Sequence, residues 1–144
     1  MNPTLYYKEG YKYVTAEDYV IQTALQPPKF IWTPFITLDV DGRMTLKKGY
    51  AWDGASGPTV DTLDSMVGSL VHDGFYQLMK EGFLSVEVFR RLADRELWRL
   101  CVEDGMLKFR ADYWYGGVRL FGDAAATEQN PILSAPTAGL KPTT

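Results

Sequence analysis

Phe35-Ile36-Thr37-Leu38-Asp39-Val40-Asp41-Gly42-Arg43-Met44-Thr45-Leu46-Lys47 reads as two strands around a tight turn. Apolar and polar residues alternate on both sides, which is the period of a half-buried strand. Asp41-Gly42 between them supplies the positive φ angles that a two-residue hairpin turn needs. This hairpin decides the first half of the chain, because the segments around it have the same character. Tyr11-Lys12-Tyr13-Val14 and the stretch 18–25 are rich in aromatic and β-branched residues, as strands are. Gln26-Pro27-Pro28 ends the second of these, since proline cannot donate to a ladder. Phe30-Ile31-Trp32 is a further short extended piece. Lys47 and Lys48 are placed to blunt an exposed edge.

Beyond residue 48 the period changes. A helix is predicted from about 60 to 80, with Thr59 or Asp61 as N-cap and Glu81-Gly82 as its stop. At 100° per residue Leu63, Val67, Leu70, Gly74 and Leu78 share one face. Phe75 and Met79 lie further round, and His72 and Tyr76 beyond them. A helix apolar on two sides is central in its fold, and Ser69 and Asp73 mark a narrow polar seam on it. Ser85 is the predicted cap of a second helix, 86–103, ended by Asp104-Gly105. Its apolar stripe is Val86, Phe89, Ala93, Leu97 and Leu100, flanked by Arg90, Asp94 and Cys101. A third helix is predicted over 107–120. From Gly122 the sequence is Ala, Thr, Pro and Ser with little to bury, so 122–144 is expected to be an extended arm. The expectation is an α+β domain over 1–121, with a small antiparallel β-sheet from the N-terminal third packed against two or three α-helices.

Composition narrows the function classes. A length of 144 residues suits one domain with a real core. The net charge is 15 − 18 = −3 without a long basic run, which argues against nucleic acid as a partner. One cysteine, Cys101, excludes an intrachain disulfide and a multi-cysteine zinc site. The start of the chain lacks the charged and apolar regions of a signal peptide. No apolar run has transmembrane length, so membrane insertion is not expected.

The residues with chemical potential cluster around two blocks. The first is Gly49-Tyr50-Ala51-Trp52-Asp53-Gly54-Ala55-Ser56-Gly57-Pro58; the second is Ser69-Leu70-Val71-His72-Asp73. His72 is the only histidine, and burying it or its neighbouring acid requires partners. His72 and Asp73 point about 100° apart on a helix, so they do not form a dyad by themselves. Asp53 and Ser56 are candidate partners from the loop, Arg90 and Asp94 from the next helix. Two readings stand. In the structural one, Asp53, Ser56, His72, Asp73, Arg90 and Asp94 form a polar cluster that locks elements together, with no cofactor. In the catalytic one, His72, Asp73 and Asp94, with Asp53, hold one divalent metal ion that activates water for hydrolysis. No HExxH pattern is present and no second histidine exists. Neither Ser56 nor Ser69 sits in a nucleophile elbow. Tyr113-Trp114-Tyr115 is dense enough in aromatic surface to be an interface patch or core.

These blocks resemble a family of small phage and prophage proteins known as a domain of unknown function, DUF1353. The resemblance rests on 49–58, on Ser69-Leu70-Val71-His72-Asp73-Gly74-Phe75-Tyr76-Gln77-Leu78, on Ala93-Asp94 and on Gly117-Val118-Arg119-Leu120-Phe121-Gly122. It implies a phage origin and the gathering of Asp53, Ser56, His72, Asp73 and Asp94 in space. The expected role is a virion or assembly component at the tail or neck, made in the host bacterial cytoplasm and incorporated in the particle. Its partners would be other phage structural proteins reached through 122–144, or a second copy of the chain. A metal-dependent hydrolase is the alternative, and a small inhibitor of a host factor is a third class.

Overall fold

The computed structural model describes residues 2–10, 12–54 and 62–127, with side chains to residue 120. The chain is an α+β fold of short antiparallel strands followed by three helices. The strands are β1 (Tyr7–Lys8), β2 (Tyr13–Thr15), β3 (Tyr19–Gln22), β4 (Ile31–Trp32), β5 (Ile36–Leu38), β6 (Arg43–Leu46) and β7 (Ala51–Trp52). They form two sheets, not the single one expected: a three-stranded sheet β1-β2-β7 and a four-stranded sheet β3-β6-β5-β4. Strand β7 comes from the stretch read as loop. Its pairing of Tyr13 with Trp52 joins segments far apart in sequence, so no local signal marks it.

The hairpin of β5 and β6 forms in the register Ile36↔Leu46, Thr37↔Thr45, Leu38↔Met44. Its turn is one residue longer than expected. The Asp39 N–H bonds Arg43 O at 2.9 Å, which leaves Val40, Asp41 and Gly42 as the loop. Gly42 has φ +93°, the left-handed position of a three-residue hairpin loop. A Cβ there would lie 2.4 Å from Thr23 O, so only glycine fits. The Asp41 carboxylate fixes the choice by accepting the Arg43 N–H at 3.0 Å.

Alternation sets the two faces of the larger sheet. Tyr19, Ile21, Ile31, Ile36, Leu38, Met44 and Leu46 are buried beneath it. Helix α1 (Met66–Lys80) lies close against this inner face. Gly74 permits the approach: a Cβ on it would stand 3.2 Å from both Leu46 and Met44 side chains. The helix ends as predicted, with Gly82 at φ +82° and the Phe83 N–H returning to Leu78 O at 2.9 Å. Its start differs. Residues Leu63–Ser65 form a 3-10 turn, tied by Ser65 Oγ, which accepts the Thr62 N–H at 3.0 Å. This turn rotates Leu63 off the apolar face and leaves it 83% exposed. The predicted caps Thr59 and Asp61 lie outside the described residues.

Helix α2 spans Val86–Glu103 as predicted, and Ser85 Oγ accepts the Val88 N–H. It crosses α1 where Gly68 lies against Leu97 and Cys101. Cys101 packs in a second small core with Leu97, Met106, Ala111, Trp114 and Val118, and burial pushes its thiol up to about 12. Helix α3 (Lys108–Thr127) packs on α2. It runs past position 122, where the arm was expected to begin. Residues 128–144 of that arm lie outside the described residues.

Candidate functional site

The three helices meet at Asp94. This residue of α2 is completely buried, and its carboxylate is surrounded by donors from both neighbours. From α1, His72 Nε2 lies 2.7 Å and the Tyr76 hydroxyl 2.5 Å from Oδ1. From α3, Arg119 Nη1 lies 2.9 Å from Oδ2. His72 and Tyr76 sit one turn apart on the same face of α1, which brings their rings to 4.2 Å between centroids. Both are buried.

Burial alone disfavours a charge on Asp94. The His72, Tyr76 and Arg119 hydrogen bonds outweigh that penalty and hold the carboxyl below its ordinary value. An ionised carboxylate only accepts, so the His72 nitrogen facing it carries the proton. The Tyr76 hydroxyl is pushed up, first by burial and then by its bond to Asp94. Tyr76 therefore donates.

Arg90 lies alongside this group. Its Nη2 donates to the backbone carbonyls of Val118 and Arg119 at 3.0 and 2.8 Å, and its guanidinium also interacts with the Tyr76 hydroxyl. It anchors the stretch of α3 that carries Arg119. Sequence reasoning placed Arg90 against the acids; the cation that reaches Asp94 is Arg119. The available signal was an arginine inside the apolar block Val118-Arg119-Leu120-Phe121, opposite an acid that needed a counter-charge.

Asp73 belongs to a different contact. It accepts the backbone N–H of Asp53 at 3.3 Å, at the end of β7. One turn earlier on α1, Ser69 Oγ accepts the Trp52 indole N–H at 3.1 Å. The polar seam of α1 thus docks the end of the smaller sheet. Asp53 turns its own carboxylate outward to Lys12, 3.2 Å away. Asp73 keeps partial contact with solvent, yet its carboxyl is pushed up to about 7, chiefly by desolvation and against the Asp53 N–H.

The predicted constellation therefore divides. His72 and Asp94 are in contact, Asp53 and Asp73 are in contact, and Arg90 braces the first pair through α3. Ser56 lies outside the described residues. The aromatic run also divides: Trp114 is buried in the second core with Arg110 5.5 Å over its ring, whereas Tyr113 is exposed. Among the described residues no group of three or more His, Cys, Asp or Glu converges as a metal site. Nor is any helix among them long and apolar enough to cross a membrane. No family model matches this chain, and no curated protein or solved structure matches it either.

Proposed function

We propose that this chain is a bacteriophage virion or assembly component, associated with the tail or neck, that works by protein–protein contacts. The observation that carries the reading is the outer face of the four-stranded sheet. Val20, Thr45, Thr37 and Trp32 stand in register across all four strands, and Val20 and Trp32 are exposed together with nearby Phe30 and Phe35. Large apolar side chains concentrated on one face are the mark of a contact surface. The Asp94 cluster supports the same reading from the other side, because both carboxylate oxygens are already occupied within the fold. Phage partners are taken from the family resemblance, and the segment beyond Thr127 is proposed as a second point of contact. The chain is made in the host cytoplasm and carried into the particle. Mass spectrometry of purified particles tests this: the chain is expected at fixed stoichiometry with the tail or neck proteins, and its absence from particles overturns the reading.

One observation favours an acid–base role as a second reading. A carboxyl pushed up towards neutrality is suited to proton transfer, and burial does this to Asp73, which accepts the Asp53 N–H at the end of β7. The hydrolase alternative then centres on Asp73, since His72 is engaged with Asp94, with or without a divalent metal. Metal content of the purified chain, and hydrolysis of cell-wall fragments lost in Asp73→Asn, are its tests.

A further inference from the structure

Helices α2 and α3, with the loop after β3, enclose a groove of about 650 Å³. Its polar groups are unequally satisfied. Glu96, only 4% exposed, accepts from Arg99 at 2.8 and 2.6 Å and from the Ala24 N–H at 3.1 Å. Arg99 is held further by Glu103 at 2.8 Å. Asp112 accepts the Trp98 indole N–H at 2.7 Å, which fixes that ring as a wall and ties α2 to α3. The acids of the groove are thus committed. Arg91 and Arg95 are not: both are exposed, and among the described residues neither has a hydrogen bond or ion pair. They lie one helical turn apart. Beside them Val88 and Leu92, also one turn apart, are exposed apolar side chains.

We propose that this groove receives an acidic, amphipathic segment of a partner protein. Two carboxylates one turn apart on that segment pair with Arg91 and Arg95, and its aliphatic side chains lie on Val88, Leu92 and the Trp98 ring. Charge complementarity selects this occupant. Two cations match two carboxylates, and arginine engages them in bidentate fashion. A nucleic acid strand carries a charge at every nucleotide and needs an extended basic track. Committed acids at Glu96, Glu103 and Asp112 interrupt such a track here. The inference rests on the contact-protein reading and names the chemistry of one partner.

The test follows the Trp98 indole N–H by NMR in the full chain. The probe is a short synthetic helical peptide with two glutamates one turn apart beside leucines. Controls are the same peptide with glutamines, and an oligothymidylate. The expected result is a saturable shift of the Trp98 signal. The double variant R91E/R95E, or the glutamine peptide, weakens binding by on the order of tenfold. No shift, equal binding of the glutamine peptide, or tighter binding of the oligothymidylate overturns the proposal. Failure here with the chain still present in particles leaves the broader reading standing. Peptide binding with the chain absent from particles removes the phage assignment and keeps the groove.

Discussion

Asp94 and Arg119 lie 25 positions apart and meet through Oδ2 and Nη1 at 2.9 Å inside a three-helix junction. This contact closes the carboxylate that His72 and Tyr76 hold from the other side. A buried ion pair adds little net stability over apolar packing, because desolvation offsets the attraction. Removing Asp94 is different, since the buried His72 and Tyr76 donors lose their acceptor and Arg119, 32% exposed, loses its counter-charge. Asp94→Ala is therefore expected to cost about 3–5 kcal/mol in urea unfolding. Arg119→Met, which leaves the fully buried Asp94 carboxylate without its cation, should cost a similar amount, about 3–5 kcal/mol.

The same cluster sets an acid limit on stability. Asp94 is held below its ordinary value of 3.8 in the folded chain. Its contribution is full above the unfolded value and is lost as pH falls through the folded one. Unfolding midpoints measured below about pH 4 should drop steeply in the wild type, and less steeply in Asp94→Asn.

Asp73 works in the opposite direction. Burial pushes its folded carboxyl from the ordinary 3.8 up to about 7, so the folded state retains a proton that the unfolded state has released. Stability from this residue falls as pH rises from about 4 to 7. Asp73→Asn keeps an acceptor for the Asp53 N–H and removes the ionisation. It is expected to stabilise the chain at neutral pH by on the order of 1–2 kcal/mol, discounted for partial solvent contact. Urea titrations of both proteins at pH 4.5 and pH 7.5 (roughly the two ends of the window) check the sign. A gain at the lower pH as large as at the higher would contradict it.

Local chemistry made much of this fold legible, and long-range pairing hid the rest. Ser85, Gly82 and Gly105 end or begin helices through bonds within a few residues, so α2 and the end of α1 were readable. The hairpin was readable for the same reason, although Asp41 shifted its turn by one residue. Strand β7 was not, because its partner Tyr13 gives no sign of it nearby. The site shows the same division. Helical spacing placed Tyr76 with His72, and the need of a buried acid for partners pointed to Asp94. Choosing between Arg90 and Arg119 required knowing where α3 packs.

Gly68 is a tertiary requirement of this kind. A Cβ on it would meet Cys101 Sγ at 2.7 Å and Leu97 O at 3.2 Å. Gly68→Ala is expected to destabilise by about 1–3 kcal/mol by forcing α1 and α2 apart, despite alanine's better helix propensity. Part of that loss should be recovered with Cys101→Ala, which removes the nearer atom but not the Leu97 carbonyl. A double-mutant cycle reads the coupling, and strict additivity would show that the helices adjust elsewhere.

Trp32 separates contact from folding. It lies on an edge strand, 63% exposed, and pairs only across to Thr37. Exposed residues of this kind change stability within about 0.5 kcal/mol, so Trp32→Ser should leave the unfolding midpoint in place. If the outer sheet face is a contact surface, the same substitution removes an aromatic anchor, and anchors of this type carry about 2 kcal/mol or more of an interface. Incorporation of the variant into particles, in competition with wild type, is expected to fall by at least on the order of tenfold. An unchanged midpoint with unchanged incorporation would move the contact surface away from this sheet. The remaining choice would then lie between the α2–α3 groove and the segment beyond Thr127.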